Sequence, residues 1–362
     1  MSLNEEIEIA RQQIVKDGYD MSIGELMNLY KDNELIINPE FQRYFRWDSL
    51  QKTHFIESLL LGIPIPPIFV FQTDEGTWEL IDGLQRLSTI FEFAGILKDS
   101  NGKLMPYAKL NGTKKLPSLE NKVWQINTDN SEDGLTKPQQ FEIKRVRIRV
   151  EILGKGTNPY IKYELFQRLN RNGSILTPQE LRTASMVMIN KEFYEWIVKL
   201  SKSEPFHSMM SQTQTHLELA LRFFIYRNIP YQTGLDVHEY LDDGILQLAT
   251  DNNFSMDTEE KVFLKTFSFL QDTIGSDVFK RWDGENFVGK FIISAYEMIA
   301  IGVSKNLKTL EKLNQKKQQN FIKQKISELW HNKTYQQYSG AGKNGTTRLA
   351  KLLPMAEDCF RL

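Results

Sequence analysis

Glu79-Leu80-Ile81-Asp82-Gly83-Leu84-Gln85-Arg86-Leu87-Ser88-Thr89-Ile90-Phe91-Glu92-Phe93 reads as a strand, a tight turn and a helix. Trp78, Leu80 and Ile81 form a short apolar run, and Asp82-Gly83 is turn chemistry. Leu84, Leu87, Ile90, Phe91 and Ala94 then recur at helical spacing. Asp82, Gln85 and Arg86 therefore stand where a helix begins. Unpaired N–H groups and the positive end of the helix dipole suit an anion such as phosphate there. Gly83 lets a ligand approach the backbone, and Arg86 offers a planar donor fork for phosphate oxygens. The Asp82 carboxylate has three roles open to it: capping the helix, holding a metal ion or orienting a water. The same pattern also fits a capped helix after a hairpin, with Arg86 solvated.

Upstream, Ile68 to Gln72 and Trp78 to Ile81 flank Asp74-Glu75-Gly76, a hairpin signal. Leu35-Ile36-Ile37 is a short strand stopped by Asn38-Pro39. Phe41-Gln42-Arg43-Tyr44-Phe45-Arg46-Trp47 is a loop dense in aromatics and arginine, and Asp48 with Gln51 opens the next helix. Residues 1–20 read as a polar, frayed helix before a Ser22/Glu25 capping box. Residues 99–139 read as an elaborated insertion with one short strand near Val123 to Ile126. From Ile143 to Val150 the residues alternate, placing Ile143, Arg145, Arg147 and Arg149 on one mostly cationic face. That face suits phosphate contact or a solvated edge strand. Thr177-Pro178-Gln179-Glu180 opens another helix with a capping box, which already gives Glu180 a structural task.

Beyond about residue 185 strand signals fade and helical runs take over, the last long one rich in lysine, including Lys316 and Lys317. The chain of 362 residues has a net charge of −1, so any nucleic-acid surface must be a local patch. One cysteine, Cys359, excludes an internal disulfide and argues against a thiolate metal cluster. No apolar run is long enough to span a membrane, and the acidic N-terminus is no signal peptide; together these point to a cytoplasmic protein. The five histidines form no metal-ligand pair, and no nucleophile elbow or G-x-G-x-x-G run is present. What remains is Gln42, Arg43, Asp82, Gln85, Arg86, Asn170 and Glu180 near turns, a set suited to phosphoryl chemistry.

Three blocks resemble a known family. Pro39-Glu40-Phe41-Gln42-Arg43 with Trp47 resembles the P-x-x-Q-R-x-x-x-W opening of the GmrSD-type restriction-endonuclease N-terminal domain. Ile81-Asp82-Gly83-Leu84-Gln85-Arg86 resembles its D-G-Q-Q-R signature. Phe166 to Gly173, followed by Leu176 and Glu180-Leu181-Arg182, resembles its third block. The resemblance implies an α+β fold. Its ParB/sulfiredoxin-like domain with a small mixed sheet would span residues 21–190, after an extension at 1–20 and before an all-α domain at 191–362. It further implies nucleotide-dependent restriction of foreign or modified DNA. Asp82, Gln85, Arg86 and Arg43 become the catalytic set, and Gln42, Gly83, Asn170 and Glu180 the nucleotide contacts. Mg²⁺, inferred from the phosphate chemistry, is expected at Asp82. DNA contact is expected from Arg145, Arg147, Arg149, Lys316 and Lys317, and a nuclease or restriction subunit is an expected partner. Two departures stand out: Leu84 replaces the first Gln of the signature, and the C-terminal His-Asn-His nuclease element of many relatives is absent. Two other readings stay open, a ParB-like DNA-binding module without turnover and a nuclease acting through the N-terminal domain.

Overall fold

The computed structural model describes residues 2–12, 14–38, 45–125, 133–155, 157, 159–171, 177–210, 215–340 and 342–362. They divide into two units, Met1–Thr177 and Pro178–Leu362. The first contains α1 (Leu3–Gln12), β1 (Lys16–Ser22), α2 (Ile23–Lys31), β2 (Leu35–Ile36), α3 (Ser49–Leu60), β3 (Ile68–Gln72), β4 (Trp78–Asp82), α4 (Leu84–Phe93), α5 (Lys137–Arg145), β5 (Arg147–Leu153) and α6 (Pro159–Arg171). Its strands form one mixed sheet in the order β1-β5-β3-β4-β2. β1 runs antiparallel to β5, β3 parallel to β5 and antiparallel to β4, and β2 parallel to β4. The α+β expectation is met.

Alternation builds the core of this unit. Ile148, Val150 and Ile152 of β5, with Ile68, Val70 and Leu80, bury one sheet face against Ile23, Leu26, Ile56, Leu59, Leu87 and Phe91 of α2, α3 and α4. α3 starts where Asp48 and Gln51 cap each other's backbone, as the sequence indicates. Ser22 caps α2 by accepting the Glu25 N–H at 3.2 Å. α6 approaches the other face through Lys162, whose ammonium lies 4.2 Å over the Phe71 ring and pairs with Glu79 of β4.

Two expectations are corrected. Residues 1–20 are not one helix: β1 begins at Lys16, and its alternation of exposed Asp20 with buried Met21 continues into pairing with β5. The strand expected at 143–150 runs instead over Arg147–Leu153, because α5 occupies Lys137–Arg145. Thr136 and Gln139 make a reciprocal cap there, with proline in the first turn. β5 is also an interior strand, so the solvated-edge alternative for its arginines fails. Most of the insertion is folded onto the core. Leu110, Leu119, Val123 and Trp124 are buried, the Thr113 hydroxyl donates to Glu57 of α3, and the Asn111 N–H donates to the Thr53 hydroxyl at 3.0 Å. Of the short strand expected there, Val123 makes a single bridge to Gly134, and Ile126 lies outside the described residues.

The second unit is helical: α7 (Pro178–Ile189), α8 (Lys191–Ser201), α9 (Phe206–Met209), α10 (His216–Asn228), α11 (Val237–Thr250) and α12 (Met256–Thr273) come first. A small hairpin of β6 (Arg281–Trp282) and β7 (Phe287–Val288) follows, where the sequence reading saw only helix. Then come α13 (Ile293–Leu310), α14 (Gln315–His331), α15 (Lys333–Ser339), α16 (Gly345–Leu352) and α17 (Ala356–Cys359). Its core is a separate cluster rich in phenylalanine, with Phe206, Phe223, Phe224, Phe263 and Phe267 in mutual ring contact around α13. The boundary falls after Thr177 rather than after residue 190, so α7 belongs to the helical unit. No described helix is long and apolar enough to cross a membrane.

Candidate functional site

The site begins with one irregularity in a hairpin. Val70 pairs with Leu80 but Phe69 pairs with Asp82, so Ile81 is an extra residue on β4. Paired residues across a ladder share a face. Glu79, opposite Phe71, and Asp82, opposite Phe69, therefore share one, although their spacing of three would put them on opposite faces of a regular strand. The chain then turns through Gly83 at φ 108°. A Cβ there would meet Ile68 Cγ2 at 2.6 Å, so both the left-handed backbone and the close packing require glycine.

α4 starts at Leu84 with Gly83 as its N-cap and no side-chain cap. Asp82 is thus not the helix cap. It pairs instead with Arg86, one turn on, at 2.5 Å between Oδ2 and Nη2. Arg86 Nη1 also donates to the Pro66 carbonyl at 2.9 Å. The guanidinium is held at two points, with 13% of its side chain exposed and 29% of that of Asp82. The solvated-arginine alternative is overturned.

Gln85 has a different task. Its Oε1 accepts the backbone N–H groups of Arg46 at 3.0 Å and Trp47 at 3.1 Å, pinning the loop before α3 to the start of α4. Phe45 lies 4.4 Å beneath the Lys52 ammonium, which pairs with Glu92 at 2.6 Å, and Trp47 meets Phe55 edge-on. These two aromatics serve the core. Gln42 and Arg43, expected beside the turn, lie outside the described residues, as do Phe41, Tyr44 and the side chain of Asn170.

Sequence reasoning missed two residues on the same sheet face. Lys162 is buried in α6 and pairs with Glu79 at 2.6 Å. A buried ammonium is stable only beside a counter-charge, and the Phe71 ring adds a cation–π contact. The available signal was a lone acid inside the apolar run of β4, and a lysine beside Tyr163 and four residues before Phe166 on a helix that buries both.

The other expected residues are placed elsewhere. Glu180 opens α7 in the second unit. Arg182, in the same sequence block, is 1% exposed and bonds Asp242 at 3.0 Å, Gln179 at 3.2 Å and the His238 ring, with Glu218 at 3.5 Å. The run of charges continues from Glu218 to Arg222, Glu297 and Arg348, the last in α16. Burial alone would raise the Glu218 carboxyl, but the guanidinium groups of Arg222 and Arg182 and the nearby His238 together hold it below its ordinary value. Arg145 is exposed at the end of α5 against Phe141, and Arg147 and Arg149 are exposed on β5. Arg149 donates to Glu151 at 2.9 Å, a bond that holds its guanidinium above the usual value, and Asp20 faces it across the ladder. The cationic face therefore shrinks to Arg145 and Arg147. Lys316 and Lys317 are exposed in the first turn of α14. Among the described residues, no group of three His, Cys, Asp or Glu side chains is placed to hold a metal ion.

No curated protein matches the chain. A solved structure of the C2221 form of a Pnob8-like ParB-N domain is 14% identical and covers 90% of this chain and 96% of its own, with a TM-score of 0.25. At that score the likeness carries no argument, and the α+β assignment rests on the sheet itself. Residues 23–187 match the family of the GmrSD restriction endonuclease, N-terminal domain, and both the strand–turn–helix at Asp82 and the block ending at Arg182 fall within them. The segment from Ile23 to Val187 is thus a domain of the GmrSD restriction-endonuclease N-terminal type.

Proposed function

We propose that the first unit is the nucleotide-binding and NTP-hydrolysing module of a DNA restriction or phage-defence system acting on foreign or modified DNA. The carrying observation is the turn itself: an α4 N-terminus without a side-chain cap, entered through left-handed Gly83, with Arg86 fixed beside it by Asp82 and Pro66. Such an end favours phosphate through its N–H groups and dipole. Arg86 is pre-organised, so little side-chain entropy is lost when it turns a donor toward a phosphate oxygen. Gly83 keeps a side chain out of the approach. Gln85 acts as a positioning residue that fixes the backbone of Arg46 and Trp47 at the start of α4.

The donor set fits Mg²⁺ only as an ion carried in on the nucleotide. Asp82 supplies one carboxylate, and Mg²⁺ commonly takes one or two carboxylates with phosphate oxygens and waters. When bound there, the ion neutralises developing charge on the phosphates. Lys162 and Glu79 support the sheet face beneath.

Phosphate release from ATP, GTP and CTP with Mg²⁺, with and without DNA, tests this reading. Turnover by the wild type should fall about a hundredfold or more in Asp82→Asn and Arg86→Ala, while thermal unfolding shows both variants folded. Absence of both turnover and nucleotide binding sinks it. The exposed Arg145 and Arg147 favour a second reading, DNA binding without turnover. It would show as DNA affinity that falls steeply with salt and is weakened by Arg147→Ala.

A further inference from the structure

The helical unit carries a cavity of about 360 Å³ between the β6–β7 hairpin and the junction of α14 with α15. Arg281, Trp282, Asp283, Trp330, His331 and Gln336 line it. None of these residues takes part in the chemistry assigned to the turn at Asp82. Its volume lies within the range of small-molecule sites, about 300–1,000 Å³.

Two features set it apart. First, the indole N–H groups of Trp282 and Trp330 are both buried and have no acceptor in the structure. Indole nitrogen only donates, and buried donors without partners are rare. Second, the walls are already braced. Trp282 packs on Phe287 at 4.9 Å, and Trp330 meets Tyr335 edge-on at 5.1 Å. Gln336 donates to the Trp330 carbonyl at 2.8 Å. Both indoles remain half-buried, keeping ring surface toward the cavity.

The rest of the lining carries acceptors as well. Asp283 Oδ1 receives the N–H groups of Glu285 at 2.9 Å and Asn286 at 2.8 Å, which leaves Oδ2. His331 uses Nδ1 to donate to the Ser327 carbonyl at 2.7 Å, leaving Nε2. Arg281 adds an exposed guanidinium at the mouth. Two aromatic walls, a cation and acceptors on Asp283 and His331 suit a flat ring that bears both donors and acceptors and carries an anionic group.

We propose that this cavity is a second nucleotide site, in which a base lies against Trp282 and Trp330 and its phosphate meets Arg281. The ligand's source is either a free mononucleotide or one nucleotide of a single-stranded DNA. Every base has a π face, so stacking of this kind tolerates sequence.

The test uses the full chain carrying Arg86→Ala, which removes the turn at Asp82 as a competing phosphate site. Binding of a labelled deoxythymidine oligonucleotide of about 12 nucleotides is followed by fluorescence anisotropy. Thymidine monophosphate and inorganic phosphate are titrated calorimetrically. Binding should weaken about tenfold on adding Arg281→Ala and by a similar factor on adding Trp282→Ala. Trp282→Phe, with unchanged thermal unfolding, should keep part of it through the remaining ring face. Oligonucleotide binding much tighter than that of the mononucleotide identifies DNA as the source, and mononucleotide binding alone identifies the free ligand; both uphold the site. No binding of either, unchanged binding in the Arg281 and Trp282 variants, or inorganic phosphate competing as well as the mononucleotide would overturn it.

Discussion

A single inserted residue, Ile81, decides which side chains meet at the turn. Were β4 regular through Ile81, Asp82 would share the face of Leu80, inside the core, rather than that of Glu79. Gly83 then has no substitute. Gly83→Ala should cost about 1–3 kcal/mol, from the left-handed backbone and the clash with Ile68, and read out as a lower unfolding temperature and lost nucleotide affinity. At this scale much was legible: Asp82, Gly83 and Arg86 do stand at a strand end and a helix start. Their partners were not. An ion pair from residue 82 to residue 86 fits helical spacing, but choosing it over a cap depends on the bulge, and a bulge leaves no mark in a five-residue strand.

Among the elements, the contact of Gln85 with the loop before α3 has a direct consequence. Gln85→Ala leaves the N–H groups of Arg46 and Trp47 without that acceptor. Their amide exchange should quicken while that of the α4 interior holds, at a cost of about 1–2 kcal/mol. The misreading of β5 has a physical cause too. Arg145, Arg147 and Arg149 keep period two across a helix end, so alternation runs on through a change of element. The better signal was Thr136-Lys137-Pro138-Gln139, a cap followed by proline that opens α5. The hairpin of β6 and β7 went unseen because two-residue strands carry no period at all. Long helices such as α12 and α13 were legible in kind, since their apolar faces recur over many turns.

For the whole molecule, two separate cores imply two unfolding events. A fragment from residue 178 to 362 should fold alone, with its own cooperative thermal transition. Its charge network sets the pH response. Because Glu218 is held below its ordinary value when folded, its contribution is complete above the unfolded value of about 4.3 and is lost as pH falls through the folded one. Glu218→Gln should therefore flatten the acid limb of stability against pH. At neutral pH it should cost about 3 kcal/mol, since Arg222 and Arg182 lose a buried counter-charge. At the other end burial pushes the Tyr335 phenol up to about 12. Its share of stability is kept below about 10 and declines from there toward 12, which phenolate absorbance in a Tyr335→Phe comparison would follow.

Arg182 gives the block shared with restriction enzymes an unexpected allegiance. Its partners Gln179, Glu218, His238 and Asp242 all lie beyond Thr177, within the helical unit. The family likeness, however, runs on to residue 187. A chimera spliced at the end of the likeness would carry off the Arg182 guanidinium, leaving Glu218 to Arg222 and taking one counter-charge from Asp242. A graft cut after Thr177 would leave both ledgers of charge closed. The heritable seam of this protein is set by where its ions are matched, not by where its resemblance stops.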